Sequence, residues 1–192
     1  MKQFIKLTSS IVPIKIENVA TDQIIPARFL KDTSKIGYKK YLFHDWRFDA
    51  DGKPKAEFVL NNPTYTGEIL LAGKNFGSGS SREHAAWAIA DYGFRVVISS
   101  YFADIFKNNA MNNGVLPIVV SEAFLAELFE TVGEDVSMTI SIDLPNQEVK
   151  NNTTGNSEHF EINPYKKECF LNGFDDIDYL LSKKDLIEEY EQ

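Results

Sequence analysis

Eight consecutive residues, Gly77-Ser78-Gly79-Ser80-Ser81-Arg82-Glu83-His84, hold the densest set of groups in this chain able to bind or transform a small anion. Gly77 and Gly79 allow a sharp turn and a close approach of backbone to ligand. The hydroxyls of Ser80 and Ser81 follow. Arg82 supplies a planar fork of donors that matches a carboxylate. A helix starting here adds unpaired N–H groups and the positive end of its dipole, both of which stabilise an anion. Other glycine-rich chemistries do not fit. A P-loop ends in Gly-Lys-Ser/Thr, whereas Ser80 follows Gly79, and a dinucleotide fingerprint needs a small residue where Arg82 stands. A nucleophile elbow would require glycine at position 76, which is Phe76. His84 sits on the first turn of the same expected helix as Ser80, too close in sequence to form a hydrolase's nucleophile–base pair, and is expected to be a structural hydrogen-bonder. A structural reading of the same spacing stands beside the chemical one. Ser80 and Glu83 also match a capping box, in which the serine hydroxyl and the glutamate carboxylate satisfy each other's backbone N–H.

The elements that would hold this loop are legible around it. Residues 69–72, Ile-Leu-Leu-Ala, form a continuous apolar run, as a strand buried on both faces should. Residues 82–92 predict a helix closed by Gly93, with Ala86, Ile89 and Ala90 on one face. A strand over 95–100, a helix over 103–113 ended by Gly114, a strand over 115–120 and a helix over 122–132 capped by Ser121 and ended by Gly133 continue the alternation. Alternating strands and helices imply parallel pairing. Residues 11–16 read as an earlier strand. Residues 136–144, 147–150 and 159–162 read as antiparallel strands, and 175–190 as helical. The fold class is therefore α/β, with 1–192 as one domain.

Composition narrows the function. Twenty-eight acidic residues against 20 basic give a formal net charge of -8, the wrong sign for generic binding of nucleic acid or an anionic membrane. No apolar run approaches the ~18 residues of a membrane span, the first 16 residues do not form a signal peptide, and the expected address is the cytoplasm. The single cysteine, Cys169, excludes an internal disulfide framework and a multi-thiolate cluster held by this chain alone, and it is expected to be an ordinary core residue. Three scattered histidines give no zinc-ligand spacing, so no metal site is expected.

Residues 77–85, Gly-Ser-Gly-Ser-Ser-Arg-Glu-His-Ala, resemble the signature of the aconitase swivelling domain. Thr21-Asp22-Gln23-Ile24-Ile25-Pro26 is similar to that family's N-terminal motif. Residues 42–47, Leu-Phe-His-Asp-Trp-Arg, and 170–177, Phe-Leu-Asn-Gly-Phe-Asp-Asp-Ile, are similar to the bacterial small-subunit branch that acts on isopropylmalate. The resemblance covers nearly the whole chain and implies a three-layer swivelling β/β/α domain of the aconitase C-terminal type. It further implies a hydro-lyase that interconverts 2- and 3-isopropylmalate in leucine biosynthesis, working with a large subunit that carries a four-iron four-sulfur cluster. In that light Ser80 carries over as the base that takes the carbon-bound proton. Ser81, Arg82 and Asp22 carry over as contacts to a dicarboxylate substrate, with the Gly77 and Gly79 backbone shaping the loop. A turn cap is the alternative for Asp22. Lys35 stands where relatives more often place a carboxylate-gripping arginine, and lysine keeps the charge but loses the fork. Phe29 and Leu30 lie where relatives read the substrate side chain; as core residues they would carry no specificity. The rival readings are a dehydratase for another malate-like acid (citraconate, dimethylmalate or homoaconitate) and a non-catalytic anion-binding module.

Overall fold

The computed structural model describes residues 1–30 and 36–190, apart from the side chains of residues 186, 187 and 189. Among the described residues, seven strands form one mixed sheet in the order β4-β3-β2-β1-β5-β6-β7: β1 Lys6–Ile14, β2 Ile69–Ala72, β3 Val96–Ser99, β4 Leu116–Val119, β5 Thr139–Asp143, β6 Glu148–Asn151 and β7 Ser157–His159. The helices are α1 Thr21–Ile24, α2 His44–Arg47, α3 Glu83–Tyr92, α4 Asp104–Asn112, α5 Glu122–Glu134, α6 Pro164–Asn172, α7 Asp176–Ser182 and α8 Lys184–Tyr190. No helix among the described residues is long and apolar enough to cross a membrane.

The long β1 joins two half-sheets. Its C-terminal half pairs parallel with β2, and its N-terminal half pairs antiparallel with β5. Register sorts the parallel half into two faces, because alternate side chains of a strand point to opposite sides. Ile11, Ile69, Val96 and Leu116 align on one face and enter a core shared with α5 and with Ile140 and Ile142 of β5. Val12, Leu70 and Val97 align on the other and pack with Ala85, Ala88 and Ile89 of α3 and Phe106 and Ala110 of α4. The apolar run of β2 and that of Val96–Ile98 in β3 follow from this two-sided burial. The alternation in β5 reflects one buried and one partly exposed face.

Several features depart from the sequence reading, and the first strand spans Lys6–Ile14 rather than 11–16. Gly133 does not end α5, which continues to Glu134 with Asp135 as its cap; Gly133 is not in the left-handed conformation that makes glycine a stop. The last strand lies at Ser157–His159 rather than 159–162. Helix α6 was not anticipated, although Asn163 caps it by accepting from Tyr165 N–H and Lys166 N–H, with Pro164 in its first turn. Two of the motifs that carry the resemblance have structural work in this fold. Arg47 donates to the carbonyls of Lys39 and Leu42 and to Asn61 Oδ1, while Trp46 stacks on the buried Phe43 at 5.4 Å. Asp175 caps α7, and Asp178 reaches back to the Asp175 N–H.

Candidate functional site

The glycine–serine loop leaves the C-terminal end of β2 and is tied on one side to residues 18–21. Val19 carbonyl accepts from both Gly77 N–H (2.8 Å) and Ser78 N–H (3.1 Å), and Ser78 carbonyl accepts from Thr21 N–H at 2.8 Å. The Thr21 hydroxyl donates to Ser80 carbonyl at 2.8 Å. These bonds bring the N-terminal motif and the serine motif, some sixty positions apart, into one structure.

Both glycines are required, for different reasons. Gly77 has φ +79°, and a Cβ there would meet the Phe106 ring at 2.2 Å. Gly79 has φ +90°, but its Cβ would make only ordinary contacts, the nearest to Ala20 Cβ at 3.6 Å. Gly77→Ala should therefore combine left-handed strain of about 1–2 kcal/mol with overpacking of about 1–3 kcal/mol. Its melting temperature should fall by roughly 5–15 °C, and that of Gly79→Ala by less than half as much. Equal melting temperatures for the two variants would contradict this account.

The structure overturns the capping-box alternative. Arg82, in extended conformation at φ −117° and ψ 103°, is the N-cap of α3, and no side chain among the described residues caps this helix. The Glu83 carboxylate, which the box would send back to the loop, instead accepts from Trp87 Nε1 and Asn113 Nδ2, each at 3.1 Å. Ser80 and Ser81 are exposed, and their hydroxyls have no hydrogen-bond partner among the described residues. The N–H groups of Gly79, Ser80, Ser81 and Arg82 likewise have no acceptor among the described residues. Four successive N–H donors without an acceptor among the described residues, ahead of a ten-residue helix, suit an anion.

Asp22 and Arg82 meet across this loop as an ion pair. Asp22 therefore does not serve as a turn cap; the residue that reaches back in α1 is Gln23, whose Oε1 accepts from Ala20 N–H at 2.7 Å. The Arg82 side chain is only 18% exposed, and its Nη1 is sealed from solvent beside Asp22 without an aligned hydrogen bond. Its other donors have no acceptor among the described residues. A guanidinium already positioned by a neighbour loses little freedom when a carboxylate arrives.

Phe29 and Leu30 are half-buried in the segment that follows α1. Phe29 stacks on Tyr41 at 4.2 Å, lies 4.7 Å from the His44 ring and sits under the Arg28 guanidinium. Leu30 packs against the same core as Phe29. Both combine core contact with a remaining exposed face, so neither is a plain core residue. Lys35 lies outside the described residues. His84 packs as a ring, 4.4 Å from Trp87 and 5.4 Å from Tyr38, and makes no hydrogen bond among the described residues, in contrast to the expectation. Cys169 is a core residue, 1% exposed, and burial pushes its thiol up from the ordinary range. No group of three or more His, Cys, Asp or Glu among the described residues is arranged to hold a metal ion. This donor set does not fit an iron–sulfur cluster. A cleft of about 490 Å³ at the base of the loop, lined by Lys15, Lys74, Ser100 and Phe129, contains none of the expected site residues. Thr21 is the functional candidate that sequence reading missed; a hydroxyl residue next to the expected Asp22 was the available signal, and its burial appears only in the fold.

Residues 1–123 match the family model of the aconitase C-terminal domain. The chain is 65% identical to the 3-isopropylmalate dehydratase small subunit of Azobacteroides pseudotrichonymphae, over all of this chain and 98% of that protein. It is 60% identical to the protein of the same name from Cytophaga hutchinsonii, over all of this chain and 96% of the relative. Its fold is similar to the crystal structure of 3-isopropylmalate dehydratase from Methanocaldococcus jannaschii, with a TM-score of 0.66 at 26% identity, covering 97% of this chain and 99% of that one.

Proposed function

The chain belongs to the aconitase C-terminal family, in its 3-isopropylmalate dehydratase small-subunit branch, and from that premise we propose how its residues take part in dehydration and rehydration. The reaction converts 2-isopropylmalate to 3-isopropylmalate in leucine biosynthesis by removing water and adding it back one carbon away. It needs a base for a carbon-bound proton, a grip on two carboxylates and help for a departing hydroxide. This chain supplies the first two. The observation that carries the reading is the loop from Gly79 to Arg82, whose hydroxyls are exposed and whose amides have no acceptor among the described residues, beside a largely buried guanidinium.

Ser80 takes the proton as an alkoxide. An unassisted serine hydroxyl is far too weak a base, so its anion must be stabilised by neighbouring N–H donors, the start of α3 and Arg82. Ser81 and Arg82 hold a substrate carboxylate, and Asp22 sets the Arg82 fork. The exposed parts of Phe29 and Leu30 face the isopropyl group, and Lys35 offers a further cation to the second carboxylate. The four-iron four-sulfur cluster belongs to the partner large subunit, where it acts as the Lewis acid toward the leaving hydroxyl. The working assembly is cytoplasmic and engages neither nucleic acid nor membrane.

The chain paired with its large subunit should turn over 2-isopropylmalate in preference to citraconate or dimethylmalate. A higher kcat/KM on either comparator would reassign the substrate. Arg82→Lys keeps the charge and loses the fork, and hydrogen bonds to charged groups contribute about 1.5–3 kcal/mol, so KM should rise by roughly one to two powers of ten. An unchanged KM and kcat would remove Arg82 from the substrate. Leu30→Lys should shift preference away from the branched apolar side chain by about 1–3 kcal/mol in relative kcat/KM. A fixed ratio between isopropylmalate and a more polar analogue would make Leu30 a packing residue only.

A further inference from the structure

We infer that Thr21, through its buried hydroxyl, is a positioning residue for Ser80; the inference rests on the reading of Ser80 as the base. Thr21 opens α1 and is 2% exposed, a buried polar side chain set directly against the serine loop. It donates to two alternate carbonyls of that loop: its N–H to Ser78 and its hydroxyl to Ser80, both at 2.8 Å. A trans peptide is planar, with its C=O and N–H pointing in opposite directions. Drawing the Ser78 carbonyl toward α1 therefore turns the Gly79 N–H away from it. Drawing the Ser80 carbonyl inward does the same for the Ser81 N–H. These are two of the amides without an acceptor among the described residues.

The two bonds also bracket Gly79, whose φ of +90° is open to glycine and disfavoured for other residues. Without the second bond, the peptide after Ser80 would be free to rotate on an exposed loop. The Ser80 hydroxyl would then lose a fixed position relative to the substrate carbon. The backbone bond from Thr21 survives any side-chain change, so the hydroxyl can be tested separately.

The test uses the chain assembled with its large subunit and assayed on 2-isopropylmalate. Thr21→Val keeps the shape and the N–H and removes only the hydroxyl donor. Turnover should fall roughly 10²-fold, the scale of a misplaced reacting group. KM should move far less than kcat, by less than about threefold, since the Arg82 fork keeps its hold on the carboxylate and only the Ser81 contact is loosened. Thr21→Ser restores the donor and should recover most of the lost turnover. Loss of stability alone would lower the amount of assembled enzyme and leave kcat per assembled site unchanged. Should Thr21→Val fail to assemble, Thr21→Ala decides by the same split between kcat and KM. Normal kcat per site in the hydroxyl-free variant, or failure of Thr21→Ser to rescue, would overturn the inference. A Ser80→Ala enzyme with normal turnover would overturn the reading beneath it, whatever Thr21 does.

Discussion

Ser80→Ala is expected to reduce turnover of the assembled enzyme by roughly 10²–10⁴-fold, the range for loss of a positioned base. The same variant should change folding stability by no more than about 0.5 kcal/mol, as for a surface substitution that breaks no special contact. The second half follows from the geometry. Ser80 is exposed, its hydroxyl has no partner among the described residues, and α3 is capped by the Arg82 backbone position rather than by a serine side chain. A lost cap would have cost about 1 kcal/mol, so melting curves separate the two roles. KM should change much less than kcat, because the carboxylate grip is assigned to Arg82 and Ser81. A Ser80→Ala protein that melts early yet turns over normally would return the loop to a structural role.

The parallel half of the fold was legible because its signals are local. A four-residue apolar run between Glu68 and Gly73 is too short for a typical helix and reads as a strand covered on both faces, and β2 has the predicted boundaries. Glycine after a helix was reliable where the chain turns left-handed, as at Gly93, and failed at Gly133, where tertiary packing carries α5 through. The loop's chemistry was legible as a set of residue types, but its partners were not. No spacing rule places Asp22 against Arg82 or Thr21 beneath Ser80, because those contacts depend on the bridge between Ala20 and Ser78. The capping box failed for a related reason. An i,i+4 contact with Trp87 on the same helix and a tertiary contact with Asn113 compete for the Glu83 carboxylate, and the helix starts later than the motif suggests. Phe29 shows the same limit, since its stacking on Tyr41 and its tilted contact with the His44 ring join parts of the chain with no shared periodicity.

The isolated chain is expected to be inactive and iron-free, and addition of a cluster-loaded large subunit should restore isomerisation of 2-isopropylmalate. The serine loop offers a base and an anion site, but nothing in the described residues can draw off a hydroxide from an unactivated alcohol. Cys169 cannot supply that function, being a single thiolate source buried in the core. The exposed loop with its free amides is the expected form of a half-site: polar donors that await a facing surface can stay hydrated until the second chain excludes water. Cys169→Ala should therefore retain the activity of the mixed enzyme per assembled site. Iron analysis of the purified chain, together with single-subunit and mixed assays, decides the matter. Stoichiometric iron in this chain alone, or turnover without the partner, would mean that the complete site lies here and that the division of labour proposed above is wrong.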